Sequence, residues 1–290
     1  MDKYVICMDA GGNINKKYLK ENSICFVPME YSIGDKIKCC SGIEPDDDMV
    51  EFYKAQKAGL ITKTSQVTPF GYENYFRGIL NSGFSILYLA LSSGLSNTFQ
   101  SALLASQALK SEIKDHQVIP VDTLSATGGI GILIERAVNN LKKGMSIQEN
   151  AANLNKAAKC INIYFMVDDL MYLRRGGRIS STTAIIGSAL NIKPVMEIDV
   201  NGKLVTLAKK HGTKAALLDI LNRFEERYIP NKEDVIYICG SDFHEKSDFL
   251  KEHVKEKYPN AKIYDEILCP VIGCHTGPGM VSLGCIGKEK

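Results

Sequence analysis

The sequence predicts an α/β protein built from two α/β domains, of which the first has a mainly parallel sheet. Short β-rich runs alternate with helical patterns in the first half, and this alternation is typical of parallel strands joined by helices. The pattern changes near residue 160, and 290 residues with 45% hydrophobic content are enough for two ordinary domains. We therefore expect an N-terminal domain over 1–160 and a C-terminal domain over 161–290.

Three β-rich runs in the first half predict strands, namely YVICMD, FSILYLALSS and HQVIPVDT. The segment TGGIGILIERAVNNLKKG predicts a helix, because its apolar residues recur at helical spacing and Gly144 is placed as a C-terminal stop. A second helix is predicted directly afterwards, over SIQENAANLNKAAKC. The helices would cover the sheet that these strands form.

The second half opens with INIYFMVDDLMYLRRGGRISS, in which a β-rich run meets a short helical turn and a Gly-Gly pair among cationic residues. Asn201-Gly202 lies between two further β-rich runs and predicts a hairpin. A helix is expected from about Lys214 to Arg227, followed by two βα-type units at DVIYICGSD and AKIYDEIL.

Charge and cysteine content narrow the class of protein. Thirty-five Lys and Arg against 33 Asp and Glu leave a formal charge of +2, which gives no overall attraction to nucleic acid or membrane. The N-terminal apolar run ends at Asp9 and is too short for a signal peptide, so a cytoplasmic location is expected. Nine cysteines without a CxxC pair favour reduced thiols over a disulfide framework or zinc site, and no metal or cofactor is predicted.

A cluster of hydroxyls, SSGLSNT, follows the second predicted strand. In open α/β sheets, ligands bind beyond the carboxyl ends of the strands. With Asn97 as N-cap and Gln100 at the third helical position, a capping box is expected, and the first backbone N–H groups would face the crevice. Together with the hydroxyls of Ser92, Ser93 and Ser96 they favour an anion. The alternative is that these serines only cap the helix and satisfy the turn.

A second hydroxyl cluster, in ITKTSQVTPF, precedes a helix that Pro69 would start. It contains Thr62, Thr64 and Ser65, and neither cluster carries a base or a metal ligand of its own. Two such clusters can converge on one small acidic group.

Six segments, taken in order and spacing, resemble the DegV family across nearly the whole chain: TSQ, SSGLSNTFQSA, VDTLSATGGIG, YFMVDDLMYLRRGGRIS, LNIKPVM and GCHTGPGMVSLG. The resemblance implies a protein similar to the fatty-acid-binding subunit of bacterial fatty acid kinase. Such a subunit holds one long-chain fatty acid in a tunnel between two α/β domains. It presents the carboxylate to a separate ATP-dependent kinase subunit, which forms the acyl phosphate, so this chain would be a lipid-binding protein with no catalytic residue.

The resemblance also implies site residues. Thr64 and Ser93 would hydrogen-bond the head group, with Ser92 and Ser96 as neighbours able to exchange roles with Ser93. Arg174 and His275 would lie beside the carboxylate. Transient membrane contact is compatible with a lipid carrier, whereas nucleic acid is not expected as a partner.

Three positions differ from the family's usual pattern. Asp9-Ala10-Gly11-Gly12 replaces an Asp-Ser-Thr, which removes a hydroxyl from the first loop. Lys63 stands where a small hydroxyl residue is common, and Asn97 stands in place of a usual Gly. Asn tolerates the left-handed conformation, so that turn can survive.

The residues alone leave other interpretations open. A single RGG could bind RNA, but such segments are usually repeated. The arginines of LRRGGRIS could instead pair with Asp168 and Asp169, and His275 could be an ordinary turn residue between glycines.

Two rival enzyme classes also remain. A serine hydrolase would use Ser93 as nucleophile and His275 as base, but the chain has SSGLS where a GxSxG elbow is typical. A phosphate- or nucleotide-binding enzyme would use TGGIGIL, which lacks the GK[ST] of a P-loop. Those glycines fit a helix packed close to a sheet.

Overall fold

The structure is a computed structural model that describes residues 3–42, 45–180, 191–231, 235–241 and 244–290. In chain order its elements are β1 (Tyr4–Asp9), α1 (Lys16–Glu21), β2 (Cys25–Val27), β3 (Met29–Ile33), β4 (Lys36–Cys40), α2 (Asp46–Lys57), β5 (Thr62–Thr64), α3 (Pro69–Asn81), β6 (Ser85–Ala90), α4 (Thr98–Glu112), β7 (Val118–Asp122) and α5 (Gly128–Lys142). They continue with α6 (Ile147–Ala158), β8 (Ile161–Met166), α7 (Met171–Arg175), β9 (Ile192–Ile198), β10 (Leu204–His211), α8 (Thr213–Arg227), β11 (Val235–Gly240), α9 (Glu245–Lys257), β12 (Lys262–Ile267), α10 (Pro270–Thr276) and β13 (Val281–Ile286).

The first sheet has the strand order β2-β1-β6-β7, and all of its strand pairs are parallel. Its central strand β6 is buried along its whole length, as expected for a parallel strand covered on both faces. The predicted strands and the parallel arrangement of the first sheet are confirmed.

The second sheet has the order β10-β9-β8-β13-β11-β12 and is mostly antiparallel, with one parallel pair between β11 and β12. Strands β9 and β10 form the predicted hairpin around Asn201-Gly202. The predicted helix near 214–227 is confirmed as α8. Sequence reasoning missed β13, which inserts between β8 and β11 although it comes last in the chain.

A three-stranded antiparallel sheet, β4-β3-β5, was also missed. Its strands are short. Strand β4 is largely exposed, so no apolar alternation marks β4 in the sequence. The sheet matters for the site because β5 ends at Thr64 and packs against α10.

Helix α5 lies between the two larger sheets and contacts both β1 and β11. Most of its residues are buried, which explains why it is apolar on nearly every side. A Cβ added to Gly128 would lie 2.3 Å from Cβ of Tyr237, so glycine is needed for this approach to β11. The expectation that the TGGIG run packs a helix closely against a sheet is confirmed, and the predicted stop at Gly144 follows α5 with a φ of +80°.

The strands divide near residue 160, because the first and three-stranded sheets use residues 4–122 and the second sheet uses residues 161–286. The largest buried apolar cluster nevertheless runs from Tyr4 to Met280 and joins both halves. We therefore keep the boundary near 160 as a proposal about the division of the chain. None of the described helices is both long enough and apolar enough to cross a membrane.

Candidate functional site

A cavity of about 860 Å³ lies between the two halves of the chain. Apolar side chains in or next to each of the three sheets contribute to its lining, among them Met29, Leu91, Ile163, Phe165, Ile198 and Met280. Its polar lining comes from the two hydroxyl clusters, Thr127, the RRGGR segment and α10. This volume lies within the usual range for small-molecule sites, roughly 300–1,000 Å³.

Thr64 and His275 meet at the cavity wall, where Thr64 Oγ1 lies 2.9 Å from His275 Nε2. Two contacts hold α10 against its neighbours: the Cys274 thiol donates to the Lys63 carbonyl at 3.5 Å, and the Gln56 amide donates to the Gly273 carbonyl at 2.9 Å. These two hydrogen bonds to backbone carbonyls, on either side of His275 and Thr64 in the fold, hold the Thr64–His275 pair in place.

The other ring nitrogen of His275, Nδ1, is buried and has no hydrogen-bond partner among the residues that the structure describes. A Cβ on Gly176 would lie 2.2 Å from this nitrogen, so the RRGGR segment covers that side of the ring. Burial, with a smaller contribution from the Arg178 charge, lowers the pKa of His275 from 6.5 to about 4. The imidazole is therefore neutral at physiological pH.

The arginines of the RRGGR segment lie at different places relative to the cavity. Arg174 is exposed, does not line the cavity, and contacts Met171 Sδ at 3.9 Å. Arg175 and Arg178 do line it, and Arg178 Nε donates to the Leu95 carbonyl at 3.1 Å. The short helix α7 explains why Arg174 lies outside the cavity and Arg178 lines it. Its turn directs Arg174 outward, and the glycines that follow return the chain to the cavity.

The alternative pairing of these arginines with two aspartates is wrong. Asp168 instead pairs with Lys193 at 2.6 Å and with Lys246 at 2.8 Å. Asp169 accepts the Met171 backbone N–H at 2.8 Å and so caps the turn before α7.

The three serines of SSGLS have different positions. Ser93 and Ser96 line the cavity. Ser92 is fully buried and outside the lining, and its hydroxyl donates to the Gly202 carbonyl at 2.8 Å. Ser92 thus joins the loop to the β9–β10 hairpin.

The predicted capping box at α4 is wrong. Asn97 is the N-cap residue, but its side chain makes no capping bond. Ser96 Oγ instead accepts the Thr98 N–H at 3.2 Å and lies 2.7 Å from the Thr98 hydroxyl. The hydroxyl one residue earlier thus replaces the expected cap.

Asp9 positions the Ser93 loop, a role that sequence reasoning missed. Its buried carboxylate accepts the Tyr88 hydroxyl at 2.5 Å, the Leu91 N–H at 3.0 Å and the Gly11 N–H at 2.8 Å. Burial raises the pKa of Asp9, while these bonds oppose the shift. In the sequence, this role is indicated by the position of Asp9 at the end of a buried strand.

None of the nine cysteines, all of which lie in the described part of the chain, forms a disulfide in this structure. Burial raises the pKa of Cys274, which lines the cavity, to about 12, so this side chain is a neutral thiol. Ligand atoms of His244, Asp248 and Asp265 lie within 4.8 Å of one another away from the cavity, and Asp265 already pairs with Lys251.

The cavity lining thus combines neutral donors with a guanidinium. Hydroxyls and a neutral imidazole can hydrogen-bond a carboxylate, while Arg178 supplies a positive charge at the same wall. Such charge-assisted bonds are stronger than those between neutral groups.

Comparisons with known proteins agree with this architecture. The family model described as "Uncharacterised protein, DegV family" matches residues 3–288. A DegV domain-containing protein of Clostridium perfringens, CPE0026, is 36% identical over 290 residues, covering 100% of this chain and 99% of the relative.

Two solved structures illustrate the fold. A DegV family protein from Thermus thermophilus, described for its fatty acid binding, superposes with a TM-score of 0.85 at 26% identity, covering 99% of this chain and 100% of that one. The Streptococcus pneumoniae Fatty Acid Kinase (Fak) B3 protein, loaded with linoleic acid, has a TM-score of 0.84 at 20% identity with the same coverage. With the α/β architecture and the cavity already described, these matches establish that the chain belongs to the DegV family.

Proposed function

We propose that this protein binds one long-chain fatty acid, with the carboxylate at the polar end of the cavity and the hydrocarbon against its apolar lining. The observation that carries the proposal is that a single cavity of about 860 Å³ joins the Thr64–His275 pair to a largely apolar wall. The fatty acid binding described for the Thermus thermophilus relative supports it.

The roles of the polar residues follow from their positions. Thr64, Ser93 and Ser96 would donate hydroxyl hydrogen bonds to the carboxylate. The neutral His275 would donate its Nε2–H to Thr64 Oγ1, which leaves the Thr64 hydroxyl proton for the ligand. Arg178 would balance the charge of the carboxylate in place of Arg174. Ser92, whose hydroxyl is committed to the hairpin, would position the loop without touching the ligand.

The hydrocarbon would supply most of the affinity. Burial contributes about 0.8 kcal/mol per CH₂, before association costs of several kcal/mol. A hydrogen bond to the charged head group adds about 1.5–3 kcal/mol and fixes the orientation of the ligand. A tight complex therefore needs no catalytic residue.

We further propose that the protein is an accessory subunit that presents its fatty acid to a separate kinase. The pneumococcal structure with this fold is a component of a fatty acid kinase, which supports the proposal. ATP and metal would then belong to the partner, and the protein would act in the cytoplasm with transient membrane contact. The fatty acids named in the descriptions of these two relatives support the class predicted for this chain, a lipid-binding protein.

The serine hydrolase interpretation has no support from the geometry. A nucleophile needs a base within hydrogen-bond reach and a third group that orients the base. His275 Nε2 bonds Thr64 rather than Ser93, and its Nδ1 has no acceptor among the described residues.

Native mass spectrometry of the protein purified from bacteria tests fatty acid binding. We expect an added mass that matches a fatty acid, and a Thr64→Val/Ser93→Ala double variant should lose most of it. Ser111→Ala, on an exposed face of α4, is the control and should keep its ligand.

Two results would contradict the proposal. One is a delipidated protein that takes up no fatty acid in titration. The other is turnover of a p-nitrophenyl ester that Ser93→Ala abolishes, which would favour a hydrolase.

A further inference from the structure

Strand β7 ends at Asp122, whose parallel-strand partner is Ala90, the last residue of β6. The Asp122 carboxylate reaches across to the loop after β6, where its Oδ1 accepts the Ser93 N–H at 3.1 Å. The same oxygen accepts the Leu124 N–H at 3.1 Å in its own loop. Leu124 has a φ of +47°, which is uncommon for a residue other than glycine. One carboxylate oxygen therefore joins the loops that follow two neighbouring strands.

Two further hydrogen bonds fix the loop after β6 on the loop after β7. The Thr123 hydroxyl donates to the Ala90 carbonyl at 2.7 Å, and the Ser92 N–H donates to the Ser125 carbonyl at 2.9 Å. Both contacts end at or before Ser92 in the loop after β6. The bond from the carboxylate extends the fixed backbone by one residue, to Ser93.

Asp122 is not among the residues that line the cavity, whereas Ser93 lines it and is exposed. Because the Ser93 N–H is bonded to the Asp122 carboxylate, Ser93 has only its hydroxyl left to donate to a ligand. A negative charge close to a carboxylate site opposes binding. Any benefit of Asp122 to binding therefore has to come from its hydrogen bond to Ser93.

We propose that Asp122 is a positioning residue for the head-group site: by holding the Ser93 N–H, it directs the Ser93 hydroxyl into the cavity. This inference rests on the proposed fatty acid binding, in which Ser93 donates its hydroxyl to the carboxylate of the ligand. Because the hydrogen bond provides the benefit and the charge does not, an uncharged acceptor of the same shape can replace Asp122.

The test is a double-mutant cycle on delipidated protein, with the dissociation constant for stearic acid as the readout. Asp122→Ala should weaken binding by about tenfold, which is the effect of losing one hydrogen bond to the carboxylate. Ser93→Ala should have a similar effect. Adding Asp122→Ala to Ser93→Ala should weaken binding by at most about twofold, because no hydroxyl remains to be directed.

Two variants serve as controls. Asp122→Asn keeps an oxygen acceptor and loses the charge, so it should bind stearic acid at least as tightly as the wild type. Glu149→Ala removes another carboxylate that accepts a backbone N–H, that of Ser146 at 2.8 Å, and Glu149 does not line the cavity. It should keep the affinity of the wild type.

The outcomes separate this inference from the function on which it rests. The inference alone would be overturned by wild-type affinity in Asp122→Ala or in Ser93→Ala, by an equal loss from Asp122→Ala in both backgrounds, or by a loss in Asp122→Asn as large as in Asp122→Ala. A wild type that binds no stearic acid would overturn both. If Asp122→Ala does not fold, hydrogen exchange in the wild type decides: the Ser93 N–H should be protected, and exchange at the rate of an unfolded chain would contradict its bond to Asp122.

Discussion

His275 lies in the last turn of α10, and its imidazole is enclosed by the cavity wall. Protonation of this buried ring is unfavourable, so it makes the stability of the protein depend on pH. Its pKa is about 4 in the folded protein, compared with an ordinary value of 6.5. Between these values the unfolded chain takes up the proton more readily than the folded protein does. The neutral ring therefore contributes stability that is present above pH 6.5 and is lost as the pH falls toward 4.

We expect the unliganded wild type to lose about 3 kcal/mol more unfolding free energy than His275→Asn between neutral pH and pH 4, because the variant has no proton to take up. Urea unfolding at several pH values measures the difference. His253→Asn, on an exposed face of α9, controls for replacing a histidine. Parallel pH profiles of wild type and His275→Asn would show that the burial of this ring has no such effect.

At the scale of elements, the site depends on how closely α7 and α10 approach. Gly176 directly follows α7, and its missing side chain leaves room for the His275 ring of α10. The Arg178 bond to the Leu95 carbonyl then joins this segment to the Ser93 loop. One short connection thus positions both the imidazole and the guanidinium.

Gly176→Ala should displace His275 from Thr64, because the new Cβ would lie 2.2 Å from Nδ1. We expect fatty acid affinity to fall by about tenfold, together with a loss of about 1–3 kcal/mol of stability from overpacking. Fluorescent fatty acid displacement and urea unfolding measure the two effects.

Gly78→Ala is the matched control, since a Cβ there meets nothing within 4 Å in the exposed middle of α3. It should leave binding unchanged and raise stability by up to about 1 kcal/mol through helix propensity. Wild-type affinity in Gly176→Ala would refute the role given to this close approach.

At the scale of the whole molecule, the two halves are joined where the β9–β10 hairpin meets the loop after β6. The Ser92 hydroxyl donates to the Gly202 carbonyl, and a Cβ on Gly94 would lie 2.5 Å from that carbonyl oxygen. Helix α5 adds a second junction between the larger sheets. The cavity lies between these halves, so its shape depends on both junctions.

Gly202→Ala should destabilise the protein strongly, because Gly202 has a φ of +70° and its new Cβ would lie 2.0 Å from Ser92 Oγ. Gly34→Ala is the comparison, since Gly34 has a φ of +56° but no atom within 4 Å of the added Cβ. Both substitutions place a side chain at a positive φ, which costs about 1–2 kcal/mol, and only Gly202→Ala adds a clash.

Urea unfolding should therefore give Gly202→Ala an excess loss of about 1–3 kcal/mol over Gly34→Ala. Equal losses would mean that the hairpin adapts without disturbing the loop. A fatty acid retained by Gly34→Ala and lost by Gly202→Ala would further link this junction to the cavity.

The sequence by itself determined the α/β class, the parallel first sheet, helices α5 and α8, and the hairpin at Asn201-Gly202. These features depend on local periodicity, strand composition and turn chemistry, which are visible within a few residues. It also placed Thr64, Ser93, Ser96 and His275 in segments that line one cavity, although their contact with a ligand stays a prediction.

Only the tertiary structure decided the rest. It placed Arg178 rather than Arg174 at the cavity, turned Ser92 toward the hairpin, and left the buried Thr127 hydroxyl without a partner among the described residues. The position of each of these side chains depends on contacts with residues that are far away in the sequence. The sequence thus determined which polar groups were available, and packing determined which of them the ligand can reach.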